Sequence, residues 1–198
     1  MRLLGRVVRL QVQRERLKRG ERPARRYDPE PLLDVAELEL SENGVWGWTA
    51  AGERHTDVHN RLHESHNYRG ENGISFGFTG HYAAMRTRFG SRLVDGIAGE
   101  NILIESADVH DLQEFANGLR IVTEGDAPVD LSRICVAEPC LEFTRFALDQ
   151  ESHAIPAQSV AVALQFLRRG LRGFYATWEG LPVRIRLGAQ VFASGPRS

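Results

Sequence analysis

The sequence predicts a mainly β fold, a distorted β-barrel with a few connecting helices, in a single domain spanning residues 1–198. Three observations predict it. Short runs in which apolar and polar residues alternate recur along the chain, the two-residue period of a half-buried strand. Turn signals rich in Gly, Asn and Pro separate these runs. Three stretches have helical spacing, and they do not alternate regularly with the strands, which argues against a doubly wound α/β sheet. At 198 residues the chain is long enough to bury a full core as one domain.

The elements follow in order. Val8, Leu10 and Val12 alternate with Arg9, Gln11 and Gln13, an opening strand. Residues 14–31 are polar and basic, with Pro23 and Pro31 against any helix, and read as a loop. A sharper reading of this segment is an arm that closes over an anionic ligand. Ala36, Leu38 and Leu40 alternate with Glu37 and Glu39. Glu42-Asn43-Gly44 is a hairpin turn, and Val45, Trp46 and Trp48 resume the sheet. Residues 49–73 are an irregular, polar, histidine-rich loop. Residues 74–78 are a short strand. Thr79 is placed to cap a helix through Tyr82, Met85 and Phe89, with Gly90 as its stop. Strands follow at 102–104, 119–122 and 131–136. A helix begins after Cys140, with Leu141, Thr144, Arg145 and Leu148 at helical spacing. Pro156 opens another, through Val160, Ala161, Leu164 and Leu167, closed by Gly170. The tail reads as a C-terminal hairpin, 174–178 against Val183, Ile185 and Leu187.

Composition narrows the function classes. Apolar residues are 42% and charged residues 26%, ordinary for a soluble protein, and the formal charge of -1 argues against a dedicated nucleic-acid binder. No run is apolar enough to span a bilayer, and the first strand lacks the pattern of a secretory signal, so a cytoplasmic protein is expected with no membrane partner. Cys135 and Cys140 are the only cysteines, too few for a disulfide framework. Lys18 is the only lysine among 25 cationic side chains, and the arginines are the type that grips phosphate and carboxylate in a planar fork.

Four groups of residues could carry chemistry. Cys140 follows a proline that ends a strand and opens a helix, where backbone N–H groups favour a thiolate. A thiolate there binds a soft metal or accepts sulfur as a persulfide. Arg145 lies one turn beyond. Cys135, inside the run Ile134-Cys135-Val136, reads as structural. His55, Asp57, His59, His63 and His66 form a polar cluster that a metal could use, or a solvated loop. Gly99-Glu100-Asn101 is a turn offering close backbone approach and two polar side chains. Gly170-Leu171-Arg172-Gly173 presents an arginine between glycines, either a phosphate grip or an exposed helix stop.

Taken in order, these segments resemble a MOSC domain, the C-terminal module of molybdenum cofactor sulfurases that also occurs as free-standing bacterial proteins. Gly96-Ile97-Ala98-Gly99-Glu100-Asn101-Ile102 resembles the family's Gly-Glu-Asn-Leu element. His81-Tyr82 resembles its His-Tyr pair, and Val136-Ala137-Glu138-Pro139-Cys140 the segment that delivers its cysteine. Leu171-Arg172-Gly173-Phe174-Tyr175 resembles its end. The family's Gly-Asp-x-x-His after the second strand has no direct match here, since Gly47 precedes Trp48, and its acid and histidine are carried to Asp57 and His59. Its closing Gly-Asp is Gly188-Ala189.

The resemblance implies a barrel of the type shared by MOSC and pyruvate kinase β-barrel domains, with a pocket lined by the cysteine. It implies molybdenum cofactor (molybdopterin), with Cys140 as molybdenum ligand or sulfur carrier. Cofactor contacts are expected from Gly99, Glu100, Asn101, Arg145 and Arg172, and catalytic roles for Cys140, His59 and Asp57. It further implies reduction of N-hydroxylated compounds with a separate reductase, or sulfur transfer from a cysteine desulfurase. No pyridoxal phosphate is expected, because that cofactor belongs to a desulfurase domain for which the chain has no room, and Lys18 sits in the basic loop. Two other classes stay open. One is a zinc-dependent hydrolase built on His55, His59, His63 and His66. The other is a non-catalytic barrel that binds a partner protein.

Overall fold

A computed structural model describes residues 1–149 and 156–195. Its elements are β1 (Arg2–Gln13), β2 (Lys18–Arg19), β3 (Arg26–Tyr27), β4 (Leu32–Asp34), β5 (Glu37–Ser41), β6 (Gly44–Trp48), β7 (Arg54–Thr56) and β8 (Ile74–Phe78). Then come α1 (Thr79–Phe89), β9 (Ile102–Glu105), a 3-10 turn (Leu112–Phe115), β10 (Leu119–Val122) and β11 (Val129–Val136). The chain ends with α2 (Leu141–Ala147), α3 (Ala157–Leu167), β12 (Phe174–Thr177), β13 (Val183–Arg186) and β14 (Gln190–Ala193). Among the described residues no helix is long and apolar enough to cross a membrane.

Seven strands close into a barrel in the order β1-β14-β10-β11-β12-β8-β9, with β9 returning to β1. Closure leaves no free edge in this ring. All pairings are antiparallel except β8 with β9. The crossover between that parallel pair carries α1, as a parallel connection requires. Inside the barrel, Phe76, Phe78, Phe115 and Phe174 pack edge-to-face and stacked with centroids 4.9–5.9 Å apart. A second core outside the barrel joins Tyr82, Met85, Leu93, Phe143, Ala147 and Leu167, and it seats the three helices.

The strand phase of β1 differs from the simple alternation. Register shifts between Leu3 and Gly5 and between Val7 and Arg9 turn Val8 outward, while Leu10 through Gln13 are all buried. Gly5 sits at the first shift, where a Cβ would meet the Glu105 carbonyl oxygen at 1.8 Å. Gly5→Ala is therefore expected to open the β1–β9 seam and destabilise the protein by ~3 kcal/mol, read as a lowered midpoint in urea unfolding.

β5 and β6 form the expected hairpin, with Ser41 paired to Gly44 around the Glu42-Asn43 turn. They belong to a separate four-stranded sheet, β13-β5-β6-β7, laid beside the barrel. The expected C-terminal hairpin does not form. β12 pairs with β11 and β8, whereas β13 crosses to β5. There Arg184 and Arg186 reach Glu37 across the ladder at 3.0 and 2.7 Å, a charge match that β12 does not offer. β4 and β14 are additional strands; β14 completes the ring. Thr79 does not cap α1, because Phe78 occupies the cap position and the Thr79 hydroxyl donates to the Ser106 carbonyl instead.

Residues 14–31 are mostly exposed, as expected of a solvated loop, but they are not wholly irregular. Lys18–Arg19 pairs with Arg26–Tyr27 as a short ribbon. Tyr27 packs edge-on to Phe143 at 5.1 Å, and Arg25 donates to the buried Glu142 carboxylate at 2.6 Å. Lys18 lies 3.8 Å from the same carboxylate. The ribbon is thereby pinned to α2 and forms one wall of a large cavity.

Candidate functional site

That cavity has a volume of about 800 Å³. Four separate segments wall it: the basic ribbon, the histidine-rich loop, the end of β11 with the turn into α2, and the turn into β12. Cys140 lines it. β11 ends where the Ala137 amide donates to the Gly173 carbonyl, and Glu138-Pro139 then lead off the barrel. Cys140 is the N-cap of α2, and its sulfur accepts the Phe143 amide at 3.4 Å. It is half-buried and carries no disulfide.

Arg172 faces the cavity between two glycines in the left-handed region, Gly170 and Gly173. A side chain at 173 would drive its Cβ to 2.6 Å from the Phe76 carbonyl oxygen, so this turn needs glycine. Its guanidinium donates to the Ala98 carbonyl at 3.2 Å, while its Nε is buried with no hydrogen-bond partner among the described residues.

Asp57 and His59 stand on the histidine-rich loop. The Asp57 carboxylate is fully buried. One oxygen accepts the Gln13 amide at 2.7 Å and the Asn101 side-chain amide at 2.9 Å. The other accepts the His59 amide at 2.8 Å and lies 3.0 Å from His59 Nδ1. Burial by itself would raise the Asp57 pKa, but the hydrogen bonds from His59 and from the Gln13 and His59 amides outweigh it and hold the carboxyl below its usual range. With Nδ1 turned to Asp57, His59 leaves Nε2 for the cavity it lines.

The Gly-Glu-Asn turn supports this pair from beneath. The Asn101 side-chain oxygen accepts from Ser75, and its amide holds Asp57. Gln13 donates to the Gly99 carbonyl at 2.6 Å, and Gln11 to the Gly96 and Glu100 carbonyls at 2.7 Å. Glu100 accepts the Tyr82 hydroxyl at 2.8 Å, and that hydroxyl in turn accepts the Ala98 amide. Neither Glu100 nor Asn101 lines the large cavity. Gly99 and Glu100 line a small chamber beside it.

Burial raises the Glu100 pKa from an ordinary 4.5 to about 7, with the Tyr82 hydrogen bond and the charge of Arg172 opposing the rise. A carboxyl that holds its proton more tightly when folded gives most stability at low pH. That contribution falls as pH climbs from the ordinary value to about 7 and is absent above it. Glu100→Gln is expected to flatten this slope, worth at most about 3 kcal/mol, in urea unfolding compared at about pH 5 and pH 8.

Several expected residues fall elsewhere. Arg145 does not line the cavity. Five residues beyond Cys140, it is turned about 140° around the helix axis. His55 and His63 do not join His59. His55 lies on β7 near Glu53, and His63 Nε2 meets the Arg14 carbonyl. His66 is exposed. Among the described residues no three His, Cys, Asp or Glu side chains converge on a metal position. His81 is buried, accepts the His110 amide, and is pushed down to about 4 by burial first and then by His110, so it stays neutral.

Cys135, expected to be structural, lines the cavity with its sulfur 3.8 Å from Glu71. Burial and the Glu71 carboxylate push its thiol pKa up.

Other lining residues had no sequence signal of their own: Gln13, Tyr27, Asn67, Arg69, Glu71 and Tyr175. Six cationic side chains face the space, Arg16, Lys18, Arg22, Arg25, Arg69 and Arg172, against Glu71 and Glu138. Lys18 and Arg25 share Glu142. Among the described residues Arg16, Arg22, Arg69 and Arg172 form no ion pair with a carboxylate.

No protein-family model matches the chain, and no curated protein matches it. Solved structures do. The chain is similar to the YuaD protein from Bacillus subtilis, with TM-score 0.56 and 14% identity over 94% of this chain and 93% of that one. It is also similar to a solved hypothetical protein, with TM-score 0.53 and 14% identity over 94% of this chain and 67% of that one. At this identity the likeness shows the fold, a mainly β barrel with three helices.

Proposed function

We propose that the chain is a MOSC-type protein that handles molybdenum cofactor, with the Cys140 sulfur as its working atom. One observation carries the reading: a half-buried free thiol on the wall of a cavity where four arginines have no carboxylate partner among the described residues. The residues fit the group. A phosphate needs planar donors, and Arg16, Arg22, Arg69 and Arg172 line the cavity with no carboxylate ion pair among the described residues. A metal that arrives already held by a pterin takes one protein thiolate, so the lack of a converging ligand cluster is compatible with Cys140 as its ligand. The cationic wall would hold the pterin phosphate, with Arg172 central and the ribbon arginines in the place expected of Arg145.

When bound, the cofactor supplies two-electron redox chemistry. The protein's own residues set the stage for it. Asp57 fixes the His59 tautomer, so Nε2 can hold or give up a proton in the cavity. Tyr27, Leu17 and Val58 keep part of the wall apolar. A separate reductase would deliver electrons for reduction of an N-hydroxylated small molecule. In the other version of the reading, Cys140 takes sulfane sulfur from a cysteine desulfurase and passes it to an acceptor. A cytoplasmic setting belongs to this proposal, as both partners act on soluble proteins.

The test is the content of freshly purified protein. Near-stoichiometric molybdenum supports the ligand version. Cyanolysable sulfur without molybdenum supports the carrier version. Protein that carries neither, even after incubation with cofactor or with a loaded desulfurase, overturns both.

A further inference from the structure

Glu100 has one carboxylate oxygen with nothing to bond. Its Oε2 accepts the Tyr82 hydroxyl, whereas Oε1 is buried and has no hydrogen-bond partner among the described residues. The residue is 4% exposed. A second buried orphan is Nε of Arg172, a residue whose charge acts on Glu100. Both residues line the small chamber beside the large cavity, together with Gln13, Ser75, Ala137 and Tyr175. Its volume is about 10 Å³. One water molecule needs roughly that much room and two or more polar partners. Gln13, Arg172 and Tyr175 line the chamber and the large cavity alike, so the two spaces adjoin.

We propose that this chamber holds one ordered water that bridges Glu100 Oε1 to Arg172 Nε, and that Glu100 exchanges protons through it with the Cys140 cavity. The water accepts the Arg172 N–H and lies against the carboxyl. Protonated Glu100 gives its proton to the water, and the water passes one of its own protons to solvent water in the cavity. Glu100 is left as a carboxylate facing Arg172, and the reverse transfer reloads it. No electron moves. Glu100 touches no reacting atom in this scheme and is a positioning residue for a proton.

The neighbours of Glu100 favour a single titration. Tyr82 from α1, Arg172 from the turn before β12, Arg9 from β1 and Tyr27 from β3 act on its charge, and Tyr175 from β12 lines the same chamber. Burial pushes Tyr27 and Tyr82 up, so these two stay neutral at ordinary pH. Glu100, at about 7, is left to change charge near neutrality. This inference goes beyond the molybdenum reading and does not need it.

The test follows, in wild-type protein without added ligand, the infrared carboxyl band that Glu100→Gln removes. The band is expected to titrate near neutral pH and to exchange with deuterium within the mixing time. Arg172→Gln is expected to move the midpoint up by at least half a pH unit and to slow the exchange at least tenfold. A carboxyl ionised throughout the range from about pH 5 to pH 9 overturns the proposal. So does one that titrates but exchanges only as fast as the whole protein unfolds. If Glu100→Gln fails to accumulate, a band from labelled glutamate that shifts in Arg172→Gln is read in the same way, and its failure to shift counts against the water bridge.

Discussion

Alanine at position 140 is expected to strip the purified protein of molybdenum or of cyanolysable sulfur, with at least a tenfold fall, while the barrel stays folded. The sulfur packs only at the margin of the second core. It is half-buried at the start of α2, and its one hydrogen bond is a long one from the Phe143 amide. Losing that cap acceptor costs about 1 kcal/mol or less. Cys135→Ala is the matched control. Cys135 lines the same cavity, but burial and Glu71 disfavour its thiolate, so it is a poor metal ligand and a poor sulfur acceptor. Cys135→Ala should keep the load that Cys140→Ala loses. Equal loss in both variants would mean that the load depends on both thiols or on the intact cavity wall, and not on Cys140 in particular. No loss in either would remove the thiol from the chemistry, and zinc retained in Cys140→Ala would favour a hydrolytic reading.

The mainly β class and many strand positions were legible because strands such as β5 and β10 bury one face, and one buried face writes a period of two into the sequence. Leu38, Leu40 and Val45 show it. Legibility failed where that condition fails. The far half of β1 has β4, β9 and residues of the loop after Trp48 around it, so Gln11 and Gln13 are buried although the alternation assigns them outward. Their amides satisfy the carbonyls of the Gly96–Glu100 turn, a use of a polar side chain that periodicity does not record. The C-terminal segments were legible as strands but not as partners. Proximity in sequence suggested a hairpin, and the barrel closed through β14 instead.

The site shows the same division. Cys140 at a helix start and Arg172 between glycines could be read because local backbone geometry constrains both positions. The link from Asn101 to Asp57 to His59 joins two segments 42 or more residues apart, and no local pattern encodes it. The arginines of the ribbon were visible as a charge run. Whether they faced solvent or a cavity depended on Tyr27 docking against α2, a contact between residues more than a hundred positions apart. Arg145 illustrates the converse. Its nearness to Cys140 in sequence placed it at the site, and the helical rotation took it away.

Asp57→Ala is expected to be the most damaging single change among the polar residues, destabilising the protein by roughly 4 kcal/mol. The carboxylate is 0% exposed and stops four donors from being orphaned: two backbone amides, the Asn101 amide and His59 Nδ1. Asparagine should be nearly as harmful, because each carboxylate oxygen faces two donors and an amide NH2 group must meet one of those pairs. His59→Ala should be mild, since Asp57 keeps its other partners. The pH dependence has a definite sign. Because the native environment lowers the Asp57 pKa below its ordinary 3.8, its contribution is present above that value and is lost as pH falls through the lower native one. The gap between wild type and Asp57→Ala in urea unfolding should therefore be constant from about pH 8 to about pH 5 and narrow only in strong acid. A gap that closes already near neutral pH would mean that the carboxyl is protonated there, and His59 would then lose the anion that orients its ring.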